Sequence, residues 1–204
     1  MRADAGDITL TTYEASACKY AGQVRPVTSE LAGFLDRLAG LVPGGSVLEL
    51  GSGPGRDADY LEQRGLTVAR TDGTKAFVEM LRANGQQARL LDARYDELGG
   101  PYDALLADAM LLHLTRVELA ALLVRAHGAL AGQAILAFTV KDGDGEAWSE
   151  ARLSLPRYFT YWRAEPLRDL LERTGWTVLS LTKVAGRLEP WLYVLAQSAN
   201  PARS

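Results

Sequence analysis

Gly51, Gly53 and Gly55 stand at alternate positions in Val47-Leu48-Glu49-Leu50-Gly51-Ser52-Gly53-Pro54-Gly55-Arg56-Asp57, directly after an apolar run. Glycines so placed let backbone amides approach a ligand with no Cβ in the way. Three aspartates, Asp72, Asp92 and Asp108, close later apolar runs. A carboxylate at a strand end accepts hydrogen bonds from ribose hydroxyls or from a base amino group. The set describes a site for a nucleoside. A triphosphate loop ends in Gly-Lys-Ser/Thr, and no lysine is present here. The dinucleotide fingerprint needs a small third residue, and Arg56 stands there. Arg56 would obstruct the close helix–strand approach which that glycine permits.

Charge narrows the ligand further. Glu49 and Asp57 flank the loop, so a pyrophosphate is repelled and a cation favoured. Asp72 follows Gly51 at about the 20-residue distance that brings an acid to the end of the second strand, within reach of both ribose hydroxyls. Asp92 can accept an adenine amino group. A molecule with adenine, ribose, an ammonium, a sulfonium and no phosphate suits this set, and S-adenosylmethionine has all of these. Plainer readings stand beside it. Asp72 could simply serve a helix start at "GTKAFVEML", Asp92 could be a loop acid, and Glu49 a solvated strand residue. The central position of its strand argues against the last, because such strands are covered on both faces.

These residues need a sheet to hold them. Strands are expected at 46–51, 67–71, 88–91, 102–108, 133–140, 176–183 and 190–197. Helical patterns fall at about 55–64, 74–84, 116–130 and 163–174, with a short segment near 93–98. The alternation predicts an α/β fold: a Rossmann-like, doubly wound, seven-stranded, mostly parallel sheet. The last two strands are joined only by "VAGRLEP" and should form an antiparallel hairpin, with the seventh beside the fifth. Leu31, Phe34, Leu35 and Leu38 mark a helix ahead of the sheet. A shorter one, at about 11–21, carries Tyr13 and Tyr20.

The 204 residues are expected to form one domain, with 1–40 as a helical cap and 44–197 as the core. A chain of this length buries roughly 70% of its unfolded surface and needs no staple. The single cysteine, Cys18, excludes an intrachain disulfide, and with only two histidines a structural zinc site is not expected. No metal is assigned. A net charge of −3 disfavours nucleic acid as partner. The N-terminal segment lacks an apolar signal core, and no apolar run approaches the roughly 18 residues of a membrane span. A cytoplasmic protein without membrane association, monomer or homodimer, is expected.

The sequence resembles the class I S-adenosylmethionine-dependent methyltransferases over about 44–197. "VLELGSGPGRDADYL", "ARTDGTKAFVEML" and "LLDARYDEL" before "PYDALLADAMLLHL" carry the likeness. The resemblance implies that Gly51, Gly53 and Gly55 form the cofactor loop, that Glu49 is the first-strand cofactor acid and that Asp72 holds the ribose. Asp92 and the Ala93 backbone would meet adenine, and Asp108 the methionine moiety. Tyr20, Ser52, Asp57 and Gly73 complete the expected cofactor set. The Asn/Asp-Pro-Pro-Tyr-like motif of base-modifying branches is replaced by "ADAMLLHL", so a small-molecule acceptor is expected, with S-adenosylhomocysteine as product.

Methyl transfer from a sulfonium mainly requires alignment and exclusion of water. His113, just after the fourth strand, is the candidate general base; a packed role bracing the following helix is the plainer alternative. His127, at a helix end, meets the helix dipole and is given no role. The stretch 141–163 is long for a connection and rich in aromatics. With Tyr13, its Trp148, Arg157, Tyr158 and Tyr161 form the expected acceptor site, against the alternative of a satellite core under the loop. Arg157 and Lys141 are available to an acidic acceptor group. A calcium loop at "DGDGE" fails, because Glu146 and Ala147 stand where Asp/Asn and Gly are needed.

Overall fold

The computed structural model describes residues 4–199; the ends of the expected 1–204 domain, 1–3 and 200–204, lie outside the described residues. Two helices, α1 (Ala5–Ala21) and α2 (Ser29–Leu41), precede the sheet. Then follow β1 (Ser46–Leu50), α3 (Arg56–Glu62), β2 (Thr67–Asp72), α4 (Lys75–Ala83), β3 (Ala88–Leu90) and β4 (Tyr102–Ala107). A single 3-10 turn, Leu111–His113, leads into α5 (Arg116–Ala129) and β5 (Leu130–Lys141). After these come β6 (Glu146–Ser149), β7 (Arg157–Thr160), α6 (Ala164–Arg173), β8 (Trp176–Val184) and β9 (Trp191–Ser198).

The seven-stranded sheet has the order β3-β2-β1-β4-β5-β9-β8. The first five strands are parallel; β9 runs antiparallel to β5, and β8 to β9. The expected architecture, including insertion of the last strand beside the fifth, is observed. The alternation within β1 explains its central place. Leu48 and Leu50 join the core under α5 and α6, whereas Val47 joins that under α2 and α3. Glu49 therefore points to the same side as Val47, into a layer otherwise held by Leu35, Leu38 and Leu61. The sheet order reverses between β1 and β4, which opens a crevice at their C-terminal ends.

Three expectations need correction. The helix expected at 11–21 begins at Ala5, where Asp4 caps it by accepting from the Asp7 amide at 2.7 Å. Its buried face is Gly6, Thr9, Thr12, Ser16 and Ala17, so it has no apolar period to read. The stretch 93–98 is turn rather than helix, because the Asp92 and Asp96 side chains take the Arg94 and Asp92 amides. The long connection 141–163 folds as its own two-stranded antiparallel ladder, β6–β7, packed on α1. Among the described residues no helix is long and apolar enough to cross a membrane.

Candidate active site

A cavity enclosing about 770 Å³ of atom-free space, part of it open to solvent, lies at the C-terminal ends of β1, β2 and β4. Its floor is the glycine turn. Gly51 has φ +75°, and a Cβ there would lie 2.6 Å from Met110 Cγ, so both its backbone and its surroundings require glycine. Gly55, at φ +92°, sits behind the turn; a Cβ would strike Leu81 at 2.8 Å, so it serves the α3–α4 contact and not the cavity. Gly51 and Gly53 line the cavity together with Asp72, Gly73, Asp92, Ala93 and Asp108. Ser52, Gly55, Asp57 and Glu49 stand outside the lining.

Asp72 has a second task. Its Oδ2 accepts from the Gly53 amide at 2.9 Å and its Oδ1 from the Thr74 amide at 2.7 Å. It thereby ties the glycine turn to the start of α4. Burial raises its pKa, against the two amide bonds, which lower it. The carboxylate, with up to four acceptor sites, keeps capacity for a ligand beside these bonds.

Behind the turn lies an acidic group. Arg56 donates to both Asp57 oxygens, at 2.6 and 2.9 Å, and to Asp108 Oδ2 at 2.7 Å. Thr139 donates to Asp108 Oδ1 at 2.6 Å. Glu49 is 3% exposed, and its Oε2 has no hydrogen-bond partner. Arg56 pairs with Asp57 and Asp108, whereas Glu49 has no ion-pair partner among the described residues. Burial, then repulsion from Asp57, pushes Glu49 up to about 8 and Asp108 up to about 6.

The roof is α1, which contributes Thr9, Leu10, Tyr13 and Tyr20. None but the tyrosines is legible in the sequence as part of a site. Arg94 fastens this helix to the sheet, pairing with Asp4 at 2.7 Å, Asp7 at 2.8 Å and Asp92 at 2.7 Å. Asp92, expected to meet a base amino group, is thus already paired with a cation.

His113 also lines the cavity. Its Nδ1 lies 2.6 Å from the Tyr158 carbonyl oxygen, which can only accept, so the proton sits on Nδ1. Nε2 is then an acceptor, and the Tyr13 hydroxyl donates to it at 2.9 Å. Burial lowers the His113 pKa to about 3; Arg157 and Lys141 add to this, while the Tyr158 carbonyl opposes it. The ring is neutral at ordinary pH. Burial pushes Tyr13 up to about 12.

The aromatic segment divides. Arg157 is buried and donates to the Tyr13 hydroxyl at 3.2 Å and to the Ala151 carbonyl at 2.6 Å. Tyr158 acts through its backbone, on His113. Trp148 is 48% exposed, edge-on to Tyr158, and Tyr161 packs beside Lys141, which is paired with Glu189. None of Trp148, Arg157, Tyr158 and Tyr161 lines the cavity. Phe77 and Met110 do, and neither stands out in the sequence from ordinary core residues.

A family model described as a methyltransferase domain matches residues 20–181. No curated protein matches the chain. Among solved structures, the DhpI–S-adenosylhomocysteine complex superimposes with a TM-score of 0.75 at 21% identity, over 96% of this chain and 97% of that one. Burkholderia thailandensis 1,6-didemethyltoxoflavin-N1-methyltransferase, with 1,6-didemethyltoxoflavin and S-adenosylhomocysteine bound, gives 0.73 at 17%, over 94% and 88%. Magnesium protoporphyrin IX methyltransferase from Synechocystis PCC 6803, with S-adenosylmethionine bound, gives 0.73 at 16%, over 97% and 98%. At these identities the likeness is one of fold.

Proposed function

The chain belongs to the methyltransferase-domain family, and from that premise we propose that it transfers a methyl group from S-adenosylmethionine to an oxygen or nitrogen of a small molecule. The observation that carries this reading is the cavity at the ends of β1, β2 and β4, with Asp72, Asp92 and Asp108 at successive strand ends around one glycine turn. S-adenosylmethionine supplies an electrophilic methyl on a good leaving group and leaves as S-adenosylhomocysteine. The chain's own residues fit it. Asp72 keeps lone pairs for ribose hydroxyls. The acids Glu49, Asp57 and Asp108 suit an ammonium, and the unpartnered Glu49 Oε2 is the clearest sign of missing positive charge. The Ala93 backbone offers a partner to a base, beside an Asp92 carboxylate held by Arg94. Tyr13, Tyr20 and Leu10 close the roof and exclude water.

On the acceptor side, His113 holds the tautomer of a proton acceptor, Nε2 toward the cavity lining. Its low pKa suits a proton made strongly acidic by methylation. A second reading, cofactor binding without transfer, draws on Tyr13 occupying Nε2. Formation of S-adenosylhomocysteine with any acceptor decides between them. The expected setting is the cytoplasm.

Calorimetric titration with S-adenosylmethionine, S-adenosylhomocysteine and NAD tests the cofactor. Binding of the two sulfur ligands at about micromolar Kd and none of NAD is expected. Binding of NAD alone, or of no ligand by folded protein, would overturn the reading.

Affinity should also depend on pH. Asp108 and Glu49 hold protons up to about pH 6 and about pH 8, well above free carboxylates. A cationic ligand must expel them, so binding releases protons and tightens as pH rises. Affinity for S-adenosylmethionine is expected to increase several-fold between about pH 5 and about pH 8. A flat profile over that range would separate the ammonium from these acids.

A further inference from the structure

Among the described residues the buried cations are paired, with one exception. Arg70 is 6% exposed and holds Asp59 and Glu62; Arg94 is 9% exposed and holds Asp4, Asp7 and Asp92. Arg157 is 6% exposed and has no carboxylate partner among the described residues. Its hydrogen bonds go to two neutral oxygens, the Tyr13 hydroxyl and the Ala151 carbonyl, and its Nε has no acceptor at all. An unpaired buried charge is costly, and proteins retain one where a ligand neutralises it.

Arg157 is not alone. Arg152 donates to the Gln23 side chain and carbonyl at 3.1 Å and covers the Tyr20 ring at 4.3 Å. Lys19 donates to the Leu153 carbonyl and to Ser154. Neither has an ion-pair partner among the described residues. Both tyrosines touched by the two arginines line the cavity. Two kinds of charge therefore stand behind the lining: carboxylates behind the glycine turn, and, behind Tyr13 and Tyr20, cations without carboxylates where α1 meets the segment before β7.

We propose that the methyl acceptor carries an anionic group, a carboxylate, phosphonate or sulfate, and that Arg157 is its specificity-determining partner, with Arg152 in support. This rests on the methyltransferase reading. A planar guanidinium with free donors binds such groups through paired hydrogen bonds, and a neutral analogue leaves those donors unmet. Tyr13, between Arg157 and His113, relates the anion site to the proton acceptor: the group that fixes the acceptor lies one hydroxyl away from the base.

The test uses the full chain saturated with S-adenosylhomocysteine. Inorganic phosphate, benzoate, phenylphosphonate and neutral benzamide are titrated into wild type, Arg157→Gln, Arg157→Lys and the exposed variant Arg152→Gln. At least one anion is expected to bind about tenfold or more tighter than benzamide. Arg157→Gln should abolish that preference with affinity for S-adenosylhomocysteine unchanged, Arg157→Lys should retain part of it, and Arg152→Gln should weaken it several-fold. If Arg157→Gln does not fold, the lysine and Arg152 variants carry the same comparison. Absence of any anion preference in wild type, or an equal preference in the charge-removing variants, overturns the proposal. Failure of wild type to bind S-adenosylhomocysteine is a separate result, which removes the methyltransferase reading itself.

Discussion

Replacing Asp72 with alanine is expected to weaken S-adenosylmethionine binding by about tenfold or more and to lower stability by about 2 kcal/mol. The affinity loss follows from removal of the only carboxylate at the end of β2 in the cavity lining. Losing one good acceptor for ribose hydroxyls accounts for about 1.4 kcal/mol, a factor of ten. The variant is expected to stay folded but less stable: both Asp72 oxygens hold backbone amides, those of Gly53 and Thr74, and Thr74 is 2% exposed. Each orphaned amide costs about 1–3 kcal/mol. Part of that is already offset, because the carboxylate's burial is unfavourable enough to raise its pKa, which places the net loss near the low end. In a chain of this size about 2 kcal/mol lowers Tm by roughly 4–8 °C. Calorimetry well below the melting temperature, with a thermal melt beside it, separates the two effects. A destabilised variant with unchanged affinity would make Asp72 a fastener of the glycine turn and nothing more.

That double role illustrates which features the sequence displays. Val47 to Leu50 alternate between two buried faces, and the acids Asp72, Asp92 and Asp108 close or follow their strands. Apolar periodicity and strand-end position therefore expose the sheet and one side of the site. The roof is different. Helix α1 packs through Gly6, Thr9, Thr12 and Ser16, residues whose burial depends on partners far along the chain. Thr9 accepts from the Tyr158 amide and Thr12 donates to the Pro156 carbonyl, contacts with no local signature. The aromatic stretch misleads in the opposite way. Its rings look like a pocket lining, yet none of Trp148, Tyr158 and Tyr161 lines the cavity; β7 reaches the cavity residues from behind, through the Arg157 side chain on Tyr13, the Tyr158 backbone on Thr9 and His113, and the Phe159 ring on His113. Type and spacing reveal which groups are reactive. They do not reveal which surface a short ladder turns toward its neighbour.

Replacing His113 with asparagine should lower kcat by about a hundredfold, with affinity for S-adenosylmethionine within about twofold of wild type. The low pKa is the point on which this turns. A base titrating near 3 is weak, and would abstract little from a neutral hydroxyl. During transfer, however, positive charge moves from sulfur to the acceptor atom, whose proton becomes far more acidic. Neutral imidazole is then sufficient, and being neutral it does not repel the incoming sulfonium. The Tyr13 hydroxyl, now bonded to Nε2, must either yield its place to the acceptor or pass the proton on. Tyr13→Phe separates these: relay predicts a fall in kcat close to that of the histidine variant, displacement predicts none. The pH profile checks the protonation state on which this rests. Wild-type kcat should show no limb near the usual histidine value of about 6.5, since the ring stays neutral down to about pH 3. For stability the sign is opposite to that of a paired histidine. The unfolded chain binds the proton first, so wild type loses stability as pH falls from about 6.5 toward 3, and the asparagine variant should lack that component. A folded variant with unchanged kcat would leave His113 only the task of holding Tyr158 and Tyr13 in place, and one that kept the wild-type acid slope would contradict the lowered pKa itself.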